Sequence, residues 1–176
     1  MSTSTGRAVA ELRAPDGHAL GEVEVRETRS GTLQLTGALT GLTPGAHLGL
    51  SVHESGDCRQ LGPIFRPDQP ADAPPSPAIP AGFLGSTLVS KDGHVTLNLK
   101  LGPQLALAGR RSMLARGVAL YELEEPGRSP QSREALACGV LGRALPSPAE
   151  VAAARRRRHF QHVAVQLLPH TFISQN

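Results

Sequence analysis

The run "LGLSVHESGDC", residues 48–58, sets a serine, a histidine and a cysteine within one short stretch. Leu48, Leu50 and Val52 alternate with Gly49, Ser51 and His53, the period of a strand with one buried face. Ser51 and His53 therefore share the other face, just ahead of a Gly-Asp turn and Cys58. Imidazole is suited to binding copper or zinc, but such sites need several donors, and a single imidazole supplies too little. His53 is thus either one ligand of a larger set or a hydrogen-bonded strand histidine. His159 and His162 stand at i and i+3 on an expected helix, a possible pair of ligands, yet no cysteine or carboxylate follows at matching spacing. The two cysteines, Cys58 and Cys138, read either as one intrachain bridge or as two buried thiols.

The elements that must position these residues are mostly strands. From Ala8 to Leu145, short alternating runs are separated by clusters of Gly, Pro, Asp and Ser. "AVAEL", "GEVEVRET", "GTLQLTGAL", "HLGLSVHE", "GHVTLNLKL" and "RGVALYEL" are the expected strands. In the fifth, Val95, Leu97, Leu99 and Leu101 take the inner face, and His94, Thr96, Asn98 and Lys100 face solvent. Asp-Gly in "APDGH" and "SKDGH" predicts hairpins. Strands at this spacing imply a sandwich or barrel. Residues 66–82, "RPDQPADAPPSPAIPAG", carry too many prolines to pair inside a sheet and are expected as a long surface excursion. After Leu145 the pattern becomes helical: Ser147 is the expected N-cap, Pro148 the first helical residue and Glu150 the capping-box acid. Phe160, Val163, Ala164, Leu167 and Leu168 recur at helical spacing until Pro169. The expected division is a barrel over 1–146 and a basic amphipathic helix with its tail over 147–176.

With 176 residues, no Trp and one Tyr, the core must be built from Val, Leu, Ala and a few Phe. There is no basic-then-apolar leader and no run of membrane-spanning length, so a soluble, cytoplasmic protein without signal peptide or membrane span is expected. An intrachain bridge by itself favours an oxidising compartment, against that expectation. The net charge of +3 is uneven, because Arg155, Arg156, Arg157 and Arg158 are consecutive. This block suits a polyanion such as heparin or nucleic acid, or else forms a solvated helix face.

"GLTPGAHLGLSVHESGDC", "GPIFRP", "GFLGS" and "ALACGVLGRA" occur in the order of the copper-zinc superoxide dismutases and the related domain of their copper chaperone, and the chain resembles that family from about Ala8 to Ala144. The resemblance implies an all-β fold, an eight-stranded Greek-key β-barrel or sandwich, here with an added C-terminal helix. It also implies a ligand set that is missing. Where the family has two histidines one residue apart, this chain has Ser51 and His53. The bridging histidine falls at Ile64, the zinc aspartate at Phe83, and the last copper histidine at Tyr121. The arginine that guides the anionic substrate falls at Ala135. The proline-rich excursion replaces the zinc loop and contains no histidine. Glu122, Glu124 and Glu125 stand where the family focuses positive charge and would repel superoxide. His47 matches a structural histidine displaced by a one-residue insertion, read as a bulge.

On this resemblance Cys58 and Cys138 form the family's intrachain disulfide, no metal or cofactor is bound, and His53 is vestigial. The implied function is that of a catalytically inactive homologue, not an enzyme, acting by protein contact. Inactive homologues of this kind are known among poxviruses, as virion components or as decoys in the host cytoplasm for the copper chaperone. The implied partner is that chaperone or a dismutase subunit, reached through Cys58. Arg143 falls at an apolar position of the family's dimer interface and would oppose association if buried unpaired. Two alternatives are a polyanion-binding module through the arginine block and a residual metal-dependent dismutase.

Overall fold

The computed structural model describes residues 6–124 apart from 71 and 75, then 134–145 and 148–166, with the side chains of the last stretch described as far as Arg157. Alternation of apolar and polar residues dictates the first half of the fold. Strands β1 (Arg7–Arg13), β2 (Ala19–Glu27) and β3 (Leu33–Leu39) form a meander. Its inner face carries Leu12, Val23, Val25, Leu35 and Leu39, all fully buried. The chain then crosses to β4 (His47–Val52), β5 (Phe83–Leu88), β6 (Val95–Lys100), β7 (Gly117–Glu122), β8 (Ala137–Val140) and the short β9 (Gly142–Arg143). The order in space is β5-β4-β7-β8-β1-β2-β3-β6, with β9 also on β1. Every ladder is antiparallel. The result is a nearly closed eight-stranded Greek-key barrel, followed by the helix α1 (Pro148–Gln166). Residues 1–144 and 145–176 form separate compact units.

The six strands expected from alternation are all present. In β6, Val95, Leu97 and Leu101 are buried, Leu99 is half-buried, and His94, Thr96, Asn98 and Lys100 are exposed. β5 and β8 were not expected as strands because "FLGSTL" and "ACGV" are short, contain glycine and do not alternate; their place is set by neighbouring strands.

Two expectations are corrected. The "SKDGH" turn exists, with Gly93 at φ +74° and hydrogen bonds between Ser90 and His94, but it makes no hairpin ladder. β5 pairs with β4 and β6 with β3, so this turn spans the seam of the barrel. The bulge read near His47 lies elsewhere: Leu50 pairs with Gly85 and Ser51 with Phe83, so the extra residue is Leu84 of β5. Ser147, Leu167, Leu168 and Pro169, and the side chains of Arg158, Phe160, Val163 and Ala164, lie outside the described residues. No helix among the described residues is long and apolar enough to cross a membrane.

Cys58 and Cys138 are joined, with Cα atoms 5.8 Å apart and 80 positions between them in sequence. The bond ties the turn after β4 to the middle of β8, where Cys138 faces Ala119 on one side and Arg13 on the other. Removing it frees a long loop in the unfolded chain. The chain-entropy account puts the loss near 4 kcal/mol. Urea unfolding of the paired Cys58→Ser, Cys138→Ser variant is expected to show a drop of that order, and adding reductant is expected to leave the variant unchanged.

Candidate functional site

Strand β4 has two buried faces. Leu48, Leu50 and Val52 point into the barrel core, and Gly49 and Ser51 on the other face are buried as well. The cover is supplied by the segment that follows. At the end of β4 three backbones close a triangle: Val52 N–H donates to Gly82 O (2.7 Å), Gly82 N–H to Phe65 O (2.8 Å) and Phe65 N–H to Val52 O (2.8 Å). Only glycine fits at 82, since a Cβ there would come within 2.9 Å of three backbone atoms of Val52 and Phe65. This knot pins both ends of the proline-rich excursion. It sets Ile64 across an isolated bridge from His53, and Phe83 opposite Ser51. On the other side of β4, Ser51 faces Ala119 and Gly49 faces Tyr121 of β7.

Five positions singled out in the sequence therefore meet: Ser51, His53, Ile64, Phe83 and Tyr121. Ala135 is not among them; it lies half-buried just before β8. His53 is 5 % exposed. Its Nδ1 lies 2.9 Å from Gly62 O and its Nε2 lies 2.9 Å from the Tyr121 hydroxyl. A carbonyl accepts only, so Nδ1 carries the proton, Nε2 presents its lone pair, and the Tyr121 hydroxyl donates to it. Burial holds the His53 pKa below its ordinary value, against the opposing pull of the Gly62 carbonyl, and pushes the Tyr121 phenol above its own. Both are neutral near pH 7. Tyr121 marked a lost ligand in the sequence; its bond to His53 was not foreseen, because nothing local shows that a side chain two positions beyond Ala119 reaches back along the strand.

These donors do not fit the copper and zinc centre that the fold would otherwise hold. A metal-binding histidine commonly anchors one nitrogen on a carbonyl and offers the other, and His53 keeps that arrangement. The offered nitrogen is taken by Tyr121. Ile64 and Phe83 have no donor atom, and Ser51 brings a neutral hydroxyl that is fully buried and has no hydrogen-bond partner among the described residues. No group of three or more His, Cys, Asp or Glu side chains suited to a metal occurs among those residues.

The remaining candidates stand elsewhere along the chain. Arg155, Arg156 and Arg157 are exposed on α1, which also contains the backbone of Arg158, His159 and His162. At 100° per residue four consecutive arginines encircle the helix instead of forming one stripe. Glu122 and Glu124 are exposed, and Glu125 lies outside the described residues. Arg143 is exposed on β9.

Three substitutions test this arrangement by urea unfolding. Tyr121→Phe leaves Nε2 buried and unpaired and is expected to cost about 1–3 kcal/mol. Ser51→Ala removes an orphaned hydroxyl and is expected to stabilise by about 1 kcal/mol. The pH dependence follows from the lowered His53 pKa. The unfolded chain takes up a proton near pH 6.5 while the folded chain resists. The contribution is therefore complete above about pH 6.5 and is lost as the pH falls through the lower folded value. The wild-type chain is expected to lose more stability between about pH 7 and pH 5 than His53→Gln does; parallel profiles would contradict the assignment.

Residues 19–141 match the family described as Copper/zinc superoxide dismutase (SODC). The chain is 31 % identical over 150 residues to superoxide dismutase [Cu-Zn] 3 of Arabidopsis thaliana, covering 77 % of this chain and 90 % of that protein. Among solved structures it is similar to a proline-to-histidine mutant of a SOD-like protein from Bacillus subtilis, with TM-score 0.64 and 24 % identity over 76 % of this chain and 97 % of that one. A double mutant of that SOD-like protein, with a tyrosine and a proline changed to histidine, gives TM-score 0.62 and 25 % identity over 76 % and 96 %. The disulfide and the cluster on β4 lie within this matched region, and the chain belongs to the copper/zinc superoxide dismutase family.

Proposed function

We propose that this chain is a superoxide dismutase fold without dismutase chemistry, working through contact with another protein. One observation carries the reading: the positions that should hold metal gather around a single imidazole whose available nitrogen is bound by the Tyr121 hydroxyl. Dismutation needs a metal that alternates between oxidation states, and Ser51, Ile64, Phe83 and Tyr121 supply none of the family's imidazole or carboxylate donors. What is retained is shape: the barrel, the disulfide and the covered face of β4.

The narrower form of the proposal takes the resemblance further. The partner is then the copper chaperone or a dismutase subunit, the contact includes the surface around Cys58, and the setting is the cytoplasm, or a virion and its host if the chain is viral. Arg143 stands exposed where the enzymes place an apolar interface residue, and it would oppose association through that surface, with either partner, if buried unpaired. Retention of neither protein by the immobilised chain would remove this form.

A second reading is supported by the exposure of Arg155, Arg156 and Arg157 on α1. With Arg158 they suit a polyanion, and binding to heparin or DNA would then weaken steeply with salt as counterions are released. Changing all four arginines to alanine is expected to abolish such retention; equal retention would count against it.

Metal analysis after purification in copper and zinc, with a dismutase assay alongside, tests the main proposal. Less than about a tenth of an equivalent of copper and no dismutation are expected, as an order of magnitude for a site with a single imidazole. Stoichiometric copper in the wild-type chain would overturn it. The reverse experiment restores donors: Ser51→His, Ile64→His and Tyr121→His together, beside the native His53, are expected to bring copper binding to about one equivalent. A cooperative thermal transition of the variant serves as the folding control.

A further inference from the structure

Beside the β4 cluster, and sharing only Ile64 with it, lies a cleft of about 560 Å³ between the proline-rich excursion and the turn at Gly109–Arg111. Its size is that of a small-molecule site. Its apolar side is formed by Ile64, Phe65 and the prolines at 63, 67 and 70, and three arginines, Arg66, Arg110 and Arg116, line it with a single carboxylate, Glu54.

Arg66 and Arg116 are held in place without being used up. The Arg116 guanidinium lies 3.7 Å from the centre of the Phe65 ring, which is 2 % exposed. Its Nε donates to Ser112 O (2.9 Å) and its Nη1 to the Glu54 carbonyl (2.9 Å) and carboxylate (3.0 Å). Its Nη2 has no acceptor among the described residues. Arg66 is anchored through Nη2 on the carbonyls of Ser76 and Ala78 (3.4 and 3.0 Å), which leaves Nε and Nη1 without protein acceptors there. Arg110 has no side-chain acceptor among the described residues, whereas its neighbour Arg111 is spent on Asp68 and Pro103 O. Glu54 is engaged as well: one oxygen accepts from Arg116 and the other from the Arg66 N–H (3.3 Å). The lining therefore carries surplus positive charge, with free N–H groups above an apolar floor.

We propose that this cleft binds a small organic oxyanion, a carboxylate or phosphate carried on an apolar body. Planar guanidinium groups match both oxyanions with paired hydrogen bonds, and the accessible floor of Ile64, Pro63 and Pro67 receives the apolar part. The ligand is not superoxide, which has no apolar body, and the arginines are not at the position of the family's guiding residue, Ala135. The site stands whether or not the metal-free reading of the β4 cluster holds.

Calorimetric titration of the full chain with phenyl phosphate and with benzoate, at low salt, tests it; the two probes separate phosphate from carboxylate. At least one is expected to bind saturably with one site per chain. Benzyl alcohol is expected not to bind, and inorganic phosphate to bind at least about tenfold more weakly, for want of contact with the floor. Arg110→Ala, an exposed position, is expected to weaken binding about tenfold or more. Lys91→Ala, at an exposed turn that does not line the cleft, is expected to bind like the wild type. The proposal is overturned if neither probe saturates, if inorganic phosphate binds equally well, if Arg110→Ala binds as the wild type does, or if Lys91→Ala loses the ligand.

Discussion

The constraint on which the rest of this molecule depends is the burial of β4 on both faces. One face belongs to the barrel core, as in any such sheet. The other is sealed by the chain that follows it, through the backbone triangle of Val52, Phe65 and Gly82. A polar group on that second face has no water to turn to and must be satisfied by the protein itself. His53 meets the demand twice, through Gly62 and Tyr121. Ser51 does not meet it. The sealed face holds a neutral hydrogen-bonded pair, His53 and Tyr121, beside Ile64 and Phe83.

This changes what a surviving histidine means. His53 retains the tautomer and the carbonyl anchor of a metal ligand, because Gly62 fixes Nδ1–H whatever occupies the other nitrogen. Tyr121, which the resemblance aligns with a copper ligand, donates its hydroxyl proton to the other nitrogen. The two residues are therefore coupled: Tyr121 satisfies an imidazole nitrogen that would otherwise be buried and unmatched. Positive charge gathers in the cleft beyond Ile64, where Arg116 is fixed by stacking and hydrogen bonds and Arg110 has no side-chain acceptor among the described residues.

Much of this was legible in the chain. Alternation gave β1, β2, β3, β4, β6 and β7 because each has one consistently apolar face, and the motif around Cys58 and Cys138 implied both the barrel and the bridge. β5 and β8 escaped because glycine and short length erase the period that identifies a strand. The convergence of Ser51, His53, Ile64, Phe83 and Tyr121 followed from resemblance, as no local pattern links residues up to 70 positions apart. Two features depended wholly on tertiary geometry: the reach of Tyr121 to His53, and the arginine-lined cleft, whose arginines come from the excursion, a short turn and the residue before β7.

The central claim is that the Tyr121 proton occupies the nitrogen that a metal would need. Nitrogen-resolved NMR of the His53 ring near pH 7, before and after one equivalent of zinc and then of copper, tests it most directly. The account predicts a neutral ring protonated at Nδ1, with an Nε2 resonance that neither metal shifts or broadens. A ring protonated at Nε2, or an Nε2 resonance displaced by either metal, would contradict it.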